Sequence, residues 1–234
     1  MEVGYLELSY KEIEKKAEEN SFVFVPLGAI QAHGTALPVG TDVFIPEELC
    51  KKAAQKVKGV VSPSLFLSYI EKKYCLPGTL SVPAEIAEKN IFFMLDSLCE
   101  QGFKRFVLVN GHDENEFSMN NACEKLIEKR DVSLLAFNWW DVAWNDVSNI
   151  LDSKYSELGV AGEDETSMIQ FMNKMRGKIP KNNLPDKEPY KLYKRGEVEK
   201  LEVFGRPESA TKEKGEKLME VISSTIAEKA EKLL

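Results

Sequence analysis

Short apolar runs alternate with longer amphipathic segments along this chain, and that alternation limits its folds more than any other feature. SFVFVPLG (21–28), GVVSPSL (59–65), KRFVLVNG (104–111) and VSLLAFNWWD (132–141) read as strands. Between them stand IPEELCKKAAQKV (45–57), PAEIAEKNIFFMLDSLCEQG (83–102) and ENEFSMNNACEKLIEKRD (114–131), each with apolar residues at helical spacing. The first has a proline at its start, and the second is closed by Gly102 in the position that favours a left-handed residue. AGEDETSMIQFMNKM (161–175) and residues 211–233 read as two further helices. Residues 176–210, with Pro180, Pro185, Pro189 and Pro207, read as irregular. Such alternation over 234 residues predicts one domain, a three-layer α/β/α sandwich with a mostly parallel central sheet.

Composition removes several function classes. A formal net charge of -7 argues against nucleic acid as the main partner, because phosphate neutralisation needs clustered Lys and Arg. The longest apolar runs, such as FVFVPLGAI, fall short of the ~18 to 20 residues that cross a bilayer. The N-terminus has no basic region followed by an apolar core, so no signal peptide is expected and a cytoplasmic location is the default. Cys50, Cys75, Cys99 and Cys123 form no C-x-x-C pair; reduced, buried thiols are the plain reading, with disulfides the alternative.

The chain has two histidines. His33 follows the first predicted strand and His112 the third; each adjoins a glycine and lies near carboxylates. In parallel sheets ligands bind at the carboxyl ends of strands, so these segments and the Trp139-Trp140-Asp141 end of the fourth strand converge on one edge. His33 and Asp42 are read as sharing one loop. His112 and Glu114 share another, where residues two apart in an extended backbone point the same way. Imidazole and carboxylate together suit zinc, manganese or iron, and a carboxylate such as Asp42 can bridge two ions.

The motifs GAIQAHGTALPVGTD, LPGTLSV, GFKRFVLVNGHDEN, NWWD, AGEDETS and GRPESATKEKGEKLMEVI, in that order, resemble the creatininase family over nearly the whole chain. The resemblance implies a creatininase-like α/β/α fold, two-metal chemistry in which an activated water attacks an amide carbonyl, and ring-like oligomers, commonly hexamers. By motif, Gly28, His33, Gly34, Leu37, Pro38, Thr41 and Asp42 match, as do Asn110, Gly111, His112, Glu114 and Asn115. Three positions depart. Gln31 stands where the family has a ligating glutamate, Ala36 where it has a second histidine, and Val160 where it has a proton-transferring histidine.

These departures have chemical consequences. Gln31 can still ligate through its carbonyl oxygen, but as a neutral and weaker donor. One firmly held ion, zinc before manganese or iron, is therefore expected rather than two. The surviving ligands are His33, Asp42, His112 and Glu114, with Gln31 as a weak fifth and Glu163 as a possible further one. Val160 cannot deliver a proton to a leaving nitrogen, so that task falls to a nearby carboxyl group, with Glu163 and Glu165 as the catalytic candidates. Trp140 is the candidate for stacking on a planar substrate, although core packing of both tryptophans is the competing reading. Gly78 and Thr79, in the turn that borders the pocket in the family, are the other substrate-binding candidates. Asn110 and Thr166 are expected to hold the ligands in place. Two functions remain open. One is an amidohydrolase acting on a small cyclic amide or formamide. The other is a catalytically degraded relative that binds a small molecule or serves as a structural or regulatory subunit.

Overall fold

The computed structural model describes residues 3–71, 76–179, 203 and 205–233. Among the described residues four strands form the sheet: β1 (Phe22–Leu27), β2 (Val60–Val61), β3 (Arg105–Asn110) and β4 (Ser133–Asn138). Their order is β2-β1-β3-β4 and every pairing is parallel. The register pairs Leu27 with Asn110 and Asn110 with Asn138, so three strands end level at the edge where both histidine segments leave the sheet.

The period of two along β1 and β3 decides which layer each side chain meets. Phe22, Phe24, Val107 and Val109 pack with α2 (Thr41–Val57), α6 (Glu163–Phe171) and α7 (Lys212–Ala230). Val23, Val25, Leu27, Phe106 and Leu108 face the opposite way, against α1 (Tyr10–Glu18), α3 (Ala84–Glu100) and α4 (Asn115–Lys129). Burial on both faces makes every β1 residue inaccessible, which is why the strand reads as a continuous apolar run. Each fully buried Phe or Leu there contributes roughly 1.5–3 kcal/mol. The three-layer α/β/α arrangement is thus as expected, with a wholly parallel sheet.

Several boundaries move. Helix α2 begins at Thr41, not near residue 45, and Pro46 lies inside it. Asp42 therefore stands in a first helical turn and not in the loop with His33. Only Val60 and Val61 of the second run form a strand, and β4 ends at Asn138, leaving Trp139, Trp140 and Asp141 in the turn beyond. That turn runs into the short helix α5 (Trp144–Val147). Gly102 does take φ +98 just past the α3 C-cap. On α3, Ile91, Leu95 and Leu98 face the sheet while Phe93 is exposed. Cys50 is buried, Cys99 and Cys123 are half-buried, and all three are free thiols. Cys75 and most of the irregular stretch lie outside the described residues.

Candidate metal centre

Two glycines let the strand ends close on α2. A Cβ on Gly28 would sit 2.5 Å from the Asp42 carbonyl oxygen; one on Gly111 would sit 2.4 Å from that oxygen and 2.7 Å from Cγ of Pro46. Any side chain at either position would push the first turn of α2 away. The glycine beside each histidine motif therefore serves close packing, and the packed result carries Asp42 into the space between the two histidines.

Asp42 bridges them. Its Oδ1 lies 2.8 Å from Nε2 of His33 and its Oδ2 lies 3.0 Å from Nδ1 of His112. All three side chains are buried. On the far side of His33, Glu165 Oε2 lies 3.6 Å from Nε2 and accepts the Ala161 amide at 2.6 Å. On the far side of His112, Nε2 lies 3.1 Å from Oε2 of Glu114 and 3.3 Å from the Tyr69 carbonyl. Glu114 is in a turn, at the N-cap of α4 with helical backbone angles, so the extended-loop argument for its proximity to His112 does not hold. The Glu71 amide donates to both carboxylate oxygens of Glu114, at 3.0 and 3.1 Å, and orients them.

The supporting bonds are equally specific. His33 Nδ1 lies 2.9 Å from the Gln31 carbonyl, so Nδ1 carries a proton there and Nε2 is presented to the cluster. Thr79 Oγ1 accepts the Ala32 amide at 3.0 Å, and the Gln31 amide donates to the Val39 carbonyl at 2.9 Å. Asn110, at the end of β3, donates to the His112 carbonyl at 2.7 Å and accepts the His112 amide at 3.1 Å. Thr166 donates to the Ala161 carbonyl at 3.1 Å and so steadies the turn beside Glu165.

Charge follows from these contacts. Burial opposes charge on His33, yet Asp42 and Glu165 outweigh it and raise the imidazole to about 9. Burial likewise opposes charge on His112, and bonds to Asp42 and Glu114 raise it to about 10. The two imidazoles hold Asp42 down at about 2 against its own burial. Burial is the first cause that pushes Asp164 up to about 7 and Glu165 up to about 8.

An open cavity of about 420 Å³ lies over this cluster. Gln31, His33, Asp42, His112, Glu114 and Glu165 line it together with Trp139, Trp140, Tyr155, Val160 and Asp164. Trp139 is buried and Trp140 half-buried, so core packing and cavity lining coexist in this pair. Three sequence candidates fall elsewhere. Glu163 is fully buried, accepts the Asp152 and Ser153 amides at 3.0 and 2.7 Å, and pairs with Lys214 at 2.5 Å; it is not among the described cavity residues. Gly78, at φ +96, and Thr79 are also absent from that lining, and Thr79 instead braces the His33 loop from behind. Conversely, sequence reading gave no cavity role to Tyr155 and no orienting role to Tyr69 or Glu71. Tyr69 and Glu71 lie in a loop and Tyr155 opens a short 3-10 helix, and only the fold brings these segments to the strand ends.

The donor set fits a divalent cation. Ligand atoms of His33, Asp42 and Glu165 all lie within 4.8 Å of one another, close to the span of donors about 2.0–2.2 Å from one shared ion. Gln31 Oε1 is buried with no hydrogen-bond partner, as expected of a carbonyl oxygen left for a cation.

A family model described as Creatininase, creatinine amidohydrolase, matches residues 6–230. The chain belongs to the creatininase family. It is 26% identical over 147 residues to a creatinine amidohydrolase of Pseudomonas putida, covering 58% of this chain and 56% of that protein. It is 23% identical over 170 residues to a 3-dehydro-scyllo-inosose hydrolase of Thermotoga maritima, covering 71% of this chain and 52% of that one. The chain thus spans about half the length of these curated relatives. Among solved structures, one described as creatininase Mn superposes with a TM-score of 0.89 at 22% identity, covering 100% of this chain and 99% of the other. A mutant creatininase described as Zn-Zn type superposes at 0.88, with the same identity and coverage. Two creatininase forms with different divalent ions therefore share this chain's fold.

Proposed function

We propose that this creatininase-family chain is a divalent-metal-dependent amidohydrolase acting on a small cyclic amide or formamide. The observation that carries the reading is Asp42, one buried carboxylate with an imidazole on each oxygen and a further carboxylate beyond each imidazole. His33 and Asp42 would hold the ion, with Glu165 within reach of it and Gln31 as a neutral donor beside it; His112 and Glu114, the other expected ligands, would brace Asp42 from its second oxygen. A single bound ion is favoured over two, because Gln31 supplies no charge; zinc is the first candidate and manganese or iron the others. The ion, when bound, would lower the pKa of a water and polarise the amide carbonyl.

The remaining work belongs to side chains. Glu165, whose Oε2 lies beside Nε2 of His33, is the group placed to take a proton from the attacking water and return it to the leaving nitrogen. Glu163 is replaced in that role because it is paired with Lys214 and lies outside the described cavity lining, whereas Glu165 lies within it. Trp140 offers a half-buried aromatic face for a planar amide. Val160 closes the cavity with apolar surface and moves no proton.

A second reading has its own support. Ala36, where the family motif has a histidine, is buried in the hydrophobic core, and Val160 is apolar as well. The same cavity can then bind a small molecule without turnover. One experiment separates the two: metal content by elemental analysis of wild type, His112→Ala and Asp42→Asn, followed by turnover of a cyclic-amide and formamide panel. About one ion per chain, lost in both variants, with amide hydrolysis lost alongside it, supports the hydrolase. Bound metal without turnover supports the binding protein, and absence of metal under all loading conditions refutes the metal-centre reading.

The described residues contain no helix long and apolar enough to cross a membrane. Self-association into a homo-oligomer is proposed alongside the activity. Exposed Phe93 on α3 and Phe117 on α4 supply apolar surface for it, and light scattering would read the state directly.

A further inference from the structure

A second cavity, of about 700 Å³, opens at the amino-terminal ends of β1 and β3. Its wall includes Lys15 and Lys16 of α1, Lys58 just after α2, and Arg105 at the start of β3. The metal centre lies at the opposite ends of β1, β3 and α2, and the two cavities share no lining residue.

The charge of this wall is unlike that of the chain. The chain is formally -7, yet four cations line the cavity against two carboxylates, Glu12 and Glu19. Both carboxylates are already engaged. Glu12 accepts the Ser9 amide at 2.8 Å in the capping box of α1, and Glu19 lies 3.7 Å from Lys15. Among the described residues, no carboxylate lies within ion-pair distance of Lys16, Lys58 or Arg105. Arg105 lies over the Phe22 ring, 5.7 Å from its centroid, and its polar contact to the Asn20 carbonyl is long, at 3.5 Å.

Two helices end here, and helix C-termini favour cations. Their last carbonyls do not need these lysines. The Asn20, Ser21 and Gly59 amides already donate to the carbonyls of Ala17, Lys16 and Ala54, at 2.9, 3.0 and 2.8 Å. Nor is Lys58 the residue that its turn alone would select. It closes α2 in the left-handed region, at φ 58 and ψ 38, where glycine is unstrained. Asn20, at φ 51, is by contrast a type that tolerates this region.

A concave wall of net positive charge on an acidic protein concentrates anions. One phosphate carries about -1.5 to -2 charge near pH 7, less than three unpaired cations can balance. The cavity is also of the size that holds a small organic molecule. We propose that it binds a diphosphate group, free or carried by a small molecule, with Lys16, Lys58 and Arg105 as the cationic donors. The site is independent of the metal centre and of the hydrolase reading.

Calorimetric titration at one fixed ionic strength tests this, with inorganic phosphate, pyrophosphate and ADP as probes. Each is titrated into protein as purified and after removal of divalent ions. Pyrophosphate should bind about tenfold or more tighter than phosphate, as expected of an added charge-assisted contact, and equally in both preparations. ADP binding tighter than pyrophosphate supports the proposal with an esterified diphosphate as occupant; the reverse order supports it with the free ion. Lys16→Gln and Lys58→Gly should each weaken pyrophosphate binding about tenfold. Lys58→Gly should also keep or raise Tm, because it relieves the left-handed lysine. Lys89→Gln, which removes a cation of α3 outside this wall, should change neither affinity nor Tm. An equal loss of binding in Lys89→Gln marks diffuse surface charge and overturns the proposal. So do equal affinities for phosphate and pyrophosphate, no binding of any probe, binding confined to protein that holds a divalent ion, and unchanged binding in both cavity variants.

Discussion

Lys214→Met tests whether Glu163 is part of the chemistry or part of the scaffold. The Glu163 side chain is fully buried, and Lys214 Nζ lies 2.5 Å from its Oε1. Lys214 also donates to Asp152 Oδ2 and to the Ser209 carbonyl, both at 2.9 Å, so one ammonium ties the start of α7 to α6 and to the loop before it. Methionine keeps most of the volume and removes the charge. Glu163 would then be a buried carboxylate with two backbone amides and no cation. Removing one partner of a buried pair costs about 3–5 kcal/mol; the partial exposure of the lysine side chain, 18%, places the expectation near the lower bound, about 3 kcal/mol. That is a large share of the ~5–15 kcal/mol by which a domain is stable. Urea unfolding of wild type, Lys214→Met, Glu163→Gln and the double variant closes a cycle. The double variant should be more stable than Lys214→Met, since a neutral amide no longer needs the cation. Metal content of Glu163→Gln should match wild type. A cost below about 1 kcal/mol for Lys214→Met would refute the scaffold argument, and so would metal loss in a well-folded Glu163→Gln.

Other expectations follow from the same geometry. Gln31→Glu adds a charged donor where a neutral carbonyl oxygen now has no partner, so the metal-to-protein ratio in elemental analysis should rise. Gly111→Ala places a Cβ 2.4 Å from the Asp42 carbonyl oxygen; overpacking of this kind costs about 1–3 kcal/mol, and metal content should fall with Tm as α2 shifts. In the metal-free protein, His33 and His112 are raised to about 9 and about 10. Their stabilisation is present below the unfolded histidine value and is lost as pH rises through 9 and 10. Glu165, raised to about 8, loses its contribution in the same direction as pH rises towards 8, so Tm of the metal-free protein should fall between pH 6 and 10. Metal uptake near pH 7 should release protons, because the histidines must deprotonate to ligate; calorimetry in buffers of different ionisation enthalpy reads the number.

The layer architecture was legible because burial on two faces leaves a direct mark: continuous apolar runs such as FVFVPL between amphipathic helices. The two histidines were legible as one site because parallel strands end together, and Leu27, Asn110 and Asn138 do so. Local chemistry was less legible. Asp42 belongs to α2 although the sequence reads as a helix from residue 45, with a proline at its start, since tertiary packing on Gly28 and Gly111 holds the earlier helix start in place. Glu163 and Glu165 look alike in the sequence AGEDETS. Lys214, 51 residues further on, draws the first into a buried ion pair, while the helix turn directs the second to His33. Asp164 between them differs again, with a buried oxygen that no residue partners. The sequence by itself determined the sandwich and the family, and it pointed to His33, Asp42, His112 and Glu114 as neighbours at one edge of the sheet. The tertiary structure decided which of three adjacent carboxylates supports the fold and which lies beside His33, because burial and partner choice depend on residues that are neighbours only after folding.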